Sequence, residues 1–458
     1  MGSTKPFRRV SELLNWTDRQ SQAWDALQTH RFLLYGGARG GGKSRFLRWC
    51  GIALLLDHAR QGRRGVMGGL FCDTYPDLRD RHIQKISAEF PPWLGELKES
   101  MLYGLAFHLF PEYGDGAILL RNLDDPSKYK SSELAFILWD ELTEIGGSLE
   151  DPTHPFNVLR GSLRWPGVER PVMVGGTNPD GPGNLWVRDL WIEHKLPVEL
   201  EPLRDEFAFI PALPSDNPYL SEQYWKDLNT LPEDLRKAWV EGSWYVFSGQ
   251  AFKAWSEIKH VCEPFQLPAY WPRIRGIDWG THAPFVCLWG AIDPDTGRLY
   301  IYRELVQTDL TDRQQAKAVR EMTAPGEQIL ATYADPSMWN KKNLDNVVSS
   351  TANEYSKENV PLMQGNNDRI GGKRRIDRLL ANLPDGRPGM IVFSTCAYLR
   401  RTLPALPYDK VQIEDVDTKA DDHGYDALKY LSTHMIAKVP KQTKRQTVSG
   451  LEQMLVRR

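Results

Sequence analysis

The sequence predicts an α/β protein in two parts, a helix-covered and mostly parallel sheet followed, after a short helical stretch, by a second α/β unit. Three observations carry this. Apolar strand-like runs alternate with helical stretches through the first half, the pattern of a parallel sheet covered on both faces. A glycine-rich loop stands directly after the first such run, between Gly37 and Ser44. In the second half, consecutive strand-like runs joined by tight turns announce an antiparallel opening. At 458 residues the chain exceeds one ordinary core, so two or three domains are expected. The boundaries read from composition are 1–210, 211–252, 253–437 and a basic tail at 438–458.

Taken in order, Arg31–Tyr35 reads as a strand, Ser44–His58 as a helix and Gly65–Cys72 as a second strand. Leu78–Phe90 reads as helical, and Ala117–Leu120, Leu134–Trp139 and Pro171–Gly175 as further strands. Pro-Ser-Asp-Asn-Pro-Tyr at Pro214–Tyr219 is a turn cluster, with short helices expected at Ser221–Leu228 and Glu233–Glu241. Ile274–Asp278 and Phe285–Ile292 read as strands around the turn Trp279–Pro284, with Arg298–Glu304 a third. A helix at Thr311–Met322 and a strand at Gln328–Ala334 continue the second half. From Lys438 the chain is basic and unpatterned, carrying Lys441, Lys444, Arg445, Arg457 and Arg458.

Composition excludes several classes. The chain is 41% hydrophobic and 25% charged, the balance of a soluble globular protein. No apolar run approaches the ~18 residues of a membrane span, and Met1–Gln20 is too polar for a secretory signal. The five cysteines, Cys50, Cys72, Cys262, Cys287 and Cys396, are scattered without a C-x-x-C pair, which reads as reduced thiols in a cytosolic protein. A net charge of -2 implies no nucleic-acid partner by itself; such a partner would need a locally basic face.

The sharpest motif is Gly37-Ala38-Arg39-Gly40-Gly41-Gly42-Lys43-Ser44, a complete G-x-x-x-x-G-K-[ST] between a strand and a helix. Its backbone N–H groups would close on phosphate oxygens, Lys43 would reach the β- and γ-phosphates of ATP, and Ser44 would bind Mg²⁺. About a hundred residues on, the apolar run Leu134–Trp139 ends in Asp140 and Glu141. Asp140 suits Mg²⁺, mostly through water, and Glu141 suits orienting or deprotonating the attacking water. Pro171-Val-Met-Val-Gly-Gly-Thr177-Asn178-Pro179 could bring a hydroxyl and an amide to the γ-phosphate and pass hydrolysis on; a bland turn is the rival. For the arginine such hydrolases need, Arg39 lies within the loop, and Arg160 and Arg164 stand one helical turn apart, able to act in cis or on a neighbour. Gln20 could read adenine through its amide or lie on the surface.

In the second half Asp278 and Asp335 end strands, and Asp426 starts a helical run in Asp421-Asp422-His423-Gly424-Tyr425-Asp426. Two strand-end acids and one helix acid can converge on a pair of hard cations that activate water against a phosphodiester. With 59 acidic residues, spacing alone leaves a chance triple open. Asp422 and Glu304 are more peripheral candidates, His423 a ligand, an outer partner or simply exposed, and Lys419 a phosphate contact.

Together, Gly-Gly-Ala-Arg-Gly-Gly-Gly-Lys-Ser, Phe-Ile-Leu-Trp-Asp-Glu, Gly-Thr-Asn-Pro and Asp-His-Gly-Tyr-Asp-Ala-Leu-Lys-Tyr resemble the large terminase subunit of tailed bacteriophages, over roughly Asn15 to Leu431. The resemblance implies an N-terminal P-loop packaging ATPase of RecA/ASCE-like fold, a small helical linker and a C-terminal ribonuclease H-like nuclease. It implies Gln20 at adenine, Lys43 and Ser44 at phosphate and Mg²⁺, Asp140 and Glu141 as metal acid and catalytic glutamate, and Thr177 and Asn178 as the coupling motif. Asp278, Asp335 and Asp426 become nuclease ligands of Mg²⁺ or Mn²⁺. The implied partners are double-stranded DNA, a portal protein and procapsid, a small terminase subunit and further copies in a ring, in the host cytoplasm, with a monomer in solution left open. The basic tail could dock on portal or capsid, or be a disordered end. One departure stands out: where relatives often carry an arginine after the second strand, this chain has Phe71-Cys72-Asp73-Thr74-Tyr75, which draws attention to Arg39 and Arg79.

Two other readings compete. One is a P-loop helicase or repair ATPase whose second half binds DNA without cutting it. The other is a catalytically silent assembly scaffold.

Overall fold

The computed structural model describes residues 14–437 apart from 232, 246–249, 281–282, 345–346, 410–411 and 413. The expected tail at 438–458, the first 13 residues and part of the Trp279–Pro284 turn therefore lie outside the described residues.

A helix, α1 (Asp18–Ala26), opens on a capping box between Thr17 and Gln20 and leads to β1 (Phe32–Gly37), which is buried along its whole length. The loop turns into α2 (Lys43–Arg60), whose buried faces include Phe46, Leu47, Cys50 and Leu54. After β2 (Met67–Cys72) come a short α3 (Tyr75–Leu78), a π-helical turn at Arg79–Ile83 and α4 (Gln84–Glu89). The expected single helix Leu78–Phe90 is therefore interrupted. The strands β3 (Gly95–Ser100), β4 (Gly104–Leu109), β5 (Ala117–Asn122) and β6 (Phe136–Asp140) follow. The first half is completed by α5 (Pro155–Gly161), β7 (Val172–Thr177), α6 (Asn184–Trp191) and β8 (Phe207–Ala212).

These strands form one sheet in the order β3-β4-β5-β2-β6-β7-β1-β8, parallel except where β3, β4 and β5 pair antiparallel. One core packs α1 and α2 on one face; the other packs Phe156, Leu159, Trp186 and Trp191 of α5 and α6 on the opposite face. The registers Gly36↔Thr177 and Asp140↔Gly176 bring the C-terminal ends of β1, β6 and β7 side by side. Gly36 must be glycine there, because a Cβ would lie 2.6 Å from the Thr177 carbonyl oxygen. The hairpin β3–β4 and the edge strand β8 are additions to the expected elements, and β8 crosses the expected boundary at residue 210.

Helices α7 (Glu222–Asn229) and α8 (Glu233–Trp239) occupy the expected helical stretch. A short α9 (Glu257–His260) leads into β9 (Val261–Cys262). Strands β10 (Arg273–Asp278), β11 (Phe285–Ile292) and β12 (Leu299–Gln307) make the antiparallel opening, and α10 (Asp312–Met322) returns the chain to β13 (Ile329–Ala334), parallel to β10. A two-stranded hairpin, β14 (Lys342–Leu344) and β15 (Val347–Ser349), precedes α11 (Thr351–Lys357) and β16 (Met363–Gln364). Then come α12 (Arg369–Leu380), β17 (Met390–Phe393), α13 (Ala397–Thr402) and α14 (His423–Leu431).

The second sheet runs β16-β13-β10-β11-β12-β17-β9. Helix α14 lies against β10 so closely that a Cβ on Gly276 would stand 2.1 Å from the Ala427 carbonyl oxygen. The two halves touch: a Cβ on Gly146 would lie 1.8 Å from the Lys419 carbonyl oxygen. Arg401 of α13 also donates to Asp189 of α6 at 2.8 Å. All five cysteines are free thiols. Among the described residues no helix is long and apolar enough to cross a membrane.

Candidate functional site

The glycine-rich loop takes backbone conformations that side chains resist. Gly37, Gly40 and Gly42 have φ of 122°, 85° and 76°, and Gly42 caps α2 from the left-handed region. At its end Lys43 is buried, donates to the Ala38 carbonyl, and donates to Asn178 Oδ1 at 2.7 Å. Burial lowers the Lys43 pKa, while Glu141, Asp140 and Asp180 hold it up. A buried ammonium beside three carboxylates, held by neutral oxygens, suits exchange of those partners for phosphate.

Ser44 Oγ donates to Asp140 Oδ2 at 2.7 Å, and the same oxygen faces His82 Nε2 at 2.9 Å. Burial pushes the Asp140 carboxyl up, but the His82 and Ser44 hydrogen bonds prevail and hold it below the ordinary range. Asp140 Oδ1 is buried with no hydrogen-bond partner among the described residues. An ionised carboxylate with one open oxygen beside a serine hydroxyl is the donor set Mg²⁺ takes, so the residues fit that ion.

Glu141 accepts from Arg81 Nη1 at 2.6 Å on one oxygen and from Thr177 Oγ1 at 3.4 Å on the other. Burial, then the Asp140 charge, raise its pKa, with Lys43 and Arg81 opposing. Thr177 is tied to Thr143 at 2.7 Å, which donates to the Asn178 carbonyl. The strand-end turn Thr177–Asn178 thus touches both Glu141 and Lys43. Gln20 is buried, not on the surface: its Nε2 donates to the Gly42 carbonyl at 3.3 Å. Arg39 lies over the Trp239 ring at 3.5 Å and near Asp180 Oδ2 at 3.5 Å, so α8 closes on the loop. A cavity of about 460 Å³ lies between Lys43, Ser44, Arg81, Glu141, Asn178 and Tyr224.

Two arginine expectations change. Arg160 and Arg164 lie at the opposite end of the sheet, where the Ser162 carbonyl accepts from Leu134 ahead of β6, and Arg164 shares a cavity with Arg31 at the start of β1. Six residues of β1 separate them from the loop by roughly 17 Å, which removes them as partners in cis. Arg79 is exposed and paired with Asp80; Arg81, two residues on, reaches Glu141 instead. Neither Arg81 nor His82 was visible as a site residue in the sequence.

In the second half Asp278 ends β10, and its Oδ2 faces His423 Nδ1 at 2.9 Å. Burial, joined by Asp426, raises Asp278 to about 6, and burial with Asp426 raises Asp422 to about 8. Burial would lower His423, but its bond to Asp278 wins and lifts it to about 9. Asp426 accepts from Lys429 at 2.7 Å and lies 3.9 Å from Arg369, which also binds Asp415 at 2.7 Å. Asp335 caps the turn after β13 and accepts from Tyr430 OH at 2.6 Å. The charges of Asp426 and Asp278 also act on that hydroxyl.

Among the described residues no group of three or more His, Cys, Asp or Glu side chains forms a ready-made metal cage. The donor chemistry nonetheless fits hard cations: carboxylate oxygens in a buried setting, where burial first and the Asp426 charge second push two carboxyls upward in pKa. Glu304 has a different job, its two oxygens accepting from Tyr398 N at 2.7 Å and Leu399 N at 3.0 Å to start α13. Lys419 is exposed, with its carbonyl against Gly146.

No family model matches the chain. In sequence it is 24% identical over 326 residues to the PBSX phage terminase large subunit of Bacillus subtilis (strain 168), covering 68% of this chain and 71% of that one. In structure it matches the HK97 bacteriophage large terminase over 92% of this chain and 95% of that one, with TM-score 0.50 and 10% identity. The large terminase of a thermophilic bacteriophage, solved in complex with ATP-gamma-S, covers 92% of this chain and 99% of its own, at TM-score 0.38 and 15% identity. The resemblance to large terminase subunits of tailed bacteriophages holds in sequence, and the α/β fold is that of a solved member.

Proposed function

On the premise of that likeness, we propose that the chain is the motor subunit of a tailed-phage DNA-packaging machine. It hydrolyses ATP to drive double-stranded DNA into a procapsid and cuts concatemeric DNA with a metal-dependent nuclease. The observation that supports this best is that one chain joins a complete P-loop constellation on one sheet to a crowd of carboxylates on the other.

In the ATPase half, the loop amides and Lys43 bind the phosphates, with Lys43 giving up Ala38 and Asn178 as it does so. Ser44 and Asp140 would hold Mg²⁺, which offsets phosphate charge when bound. Glu141 orients water toward the γ-phosphate once Arg81 releases it, and Asn178 and Thr177 register the change at Lys43 and Glu141. Gln20 sits at the adenine side, and Arg39 is available to the developing charge. In the nuclease half, Asp278, Asp335 and Asp426 would hold Mg²⁺ or Mn²⁺, which activates water and stabilises the leaving oxygen when bound. Asp422 and His423 orient this group. Grip on duplex DNA must be sequence-independent and salt-sensitive, through phosphate contacts. Portal, procapsid, small subunit and a ring of further copies complete the machine, with 1–212, 213–252 and 253–437 as its ATPase, linker and nuclease units.

Lys43→Ala is expected to lower DNA- and portal-stimulated ATP hydrolysis by roughly a hundredfold or more. Unchanged hydrolysis would leave the scaffold reading standing. Asp278→Ala is expected to abolish Mg²⁺- or Mn²⁺-dependent plasmid cleavage; equal cleavage by variant and wild type would refute the nuclease and favour the helicase or repair reading.

A further inference from the structure

The second half holds a buried positive charge that its proposed nuclease chemistry does not use. Arg275 is on β10, three residues before Asp278, and is only 5% exposed. Its Nε donates to Thr332 Oγ1 at 2.9 Å and its Nη1 to Thr323 Oγ1 at 3.1 Å. Both partners are neutral hydroxyls.

The carboxylate on the same cavity wall, Glu327, is already committed. Glu327 accepts from Arg273 at 2.7 Å, Tyr302 at 2.7 Å, Arg303 at 2.8 Å and the Ala324 amide at 2.9 Å. Two guanidinium groups therefore already share that carboxylate, and Arg275 makes no bond to it. The nearby Arg320 is matched by Glu358 at 2.6 Å and leaves that excess in place. Burying a guanidinium against hydroxyls alone is costly unless an anion joins it.

Space for one exists. Arg275, Arg320, Thr323, Thr332, Asn359 and the already committed Glu327 line a cavity of about 420 Å³ whose remaining wall includes Leu330 and Met363. Both of those side chains are exposed, at 63% and 51%. The cavity opens beside a bare sheet edge: β16 pairs with β13 at Tyr333 and Ala334, leaving the outward edge of Ile329–Thr332 without a ladder partner among the described residues.

We propose that this pocket binds an acidic, extended peptide segment of a partner protein, added as a strand to the edge Ile329–Thr332, with a carboxylate seated on Arg275. An added strand satisfies the edge amides and carbonyls, and its carboxylate completes the buried guanidinium. A peptide fits better than a duplex, because the guanidinium is recessed behind apolar rims and the adjoining sheet edge offers a ladder that only a peptide backbone can complete. The proposal does not rest on the packaging reading.

The test uses the full chain and an end-blocked, fluorescein-labelled octapeptide of alternating valine and glutamate. Saturable binding by anisotropy is expected, weakened about tenfold or more by Arg275→Gln and by replacing glutamate with glutamine in the peptide. Hydrogen exchange on the unmodified chain should show the amides of Ile329–Thr332 slowed by the peptide, which decides the matter if Arg275→Gln does not fold. Lack of saturable binding, equal binding by the folded variant, or protection elsewhere overturns the proposal. Protection of the same amides by duplex DNA instead of peptide overturns it in favour of a nucleic-acid site.

Discussion

Glu141 holds a φ of 56°, the left-handed region that costs a side-chain-bearing residue about 1 kcal/mol or more. Its amide bonds the Gly176 carbonyl at 2.6 Å and its carboxylate is held by Arg81, so the surrounding contacts over-determine the conformation. Glu141→Gln keeps the shape and removes the base. The expected result is a fall in kcat for ATP of about a hundredfold or more, with affinity for a fluorescent ATP analogue retained. An equal loss of affinity would assign Glu141 to binding instead. Lys43, Ser44, Asp140 and Glu141 were legible because each lies inside a contiguous motif whose chemistry depends on local spacing. Arg81 and His82 were not, because they meet Glu141 and Asp140 only across neighbouring strands, 60 and 58 positions away. Asp278, Asp335 and Asp426 were legible as strand-end and helix acids, but Tyr430 and Lys429, which hold two of them, read as ordinary helix residues.

Elements carry their own consequences. The π-helical turn Arg79–Ile83 widens the helix after β2 by one residue, and Arg81 and His82 both lie on it. Regular helical periodicity over Leu78–Phe90 could not show that turn. The hairpin β3–β4 was equally hidden, because Gly95–Ser100 alternates weakly and carries mostly polar side chains. Helix α5 begins on His154, whose Nδ1 accepts from Phe156 N at 3.2 Å while Nε2 faces the Gly146 carbonyl at 3.1 Å. Burial lowers the His154 pKa from 6.5 to about 4. The unfolded chain therefore takes up this proton first, so the contribution is complete above the ordinary histidine pKa and lost as pH falls toward 4. The loss should reach roughly 3 kcal/mol across that window. Urea midpoints measured at neutral and mildly acidic pH should diverge in the wild type and draw together in His154→Gln. Parallel pH dependence in the two proteins would show that other groups control it.

At the scale of the whole molecule, the halves meet through charges that neither sheet would reveal alone. Arg401 binds Asp189, whose side chain is 5% exposed, and lies 4.0 Å from Asp421, which accepts from Tyr398. Arg401→Ala leaves Asp189 buried with Arg188, 4.0 Å away, in place of its hydrogen-bonded cation and should cost about 2 kcal/mol in urea unfolding. Adding Asp189→Asn should restore much of that loss, a coupling that a double-mutant cycle measures. Independent, additive losses would show that the two groups do not act as a pair.

The two sheets also treat their free margins differently. At the rim of the first, β3 points Glu96, Lys98 and Glu99 into solvent. Charged side chains on an edge strand keep one copy of a protein from fusing with the next, a safeguard that matters most where many copies crowd together. Replacing Glu96 and Lys98 by valine should leave the core intact and make the protein prone to ordered aggregation, seen as thioflavin-positive material. The outer margin of β13 carries no comparable guard along Ile329–Thr332. Its tolerance in solution then rests on shortness and on the recess beside it, and selection would favour keeping it covered.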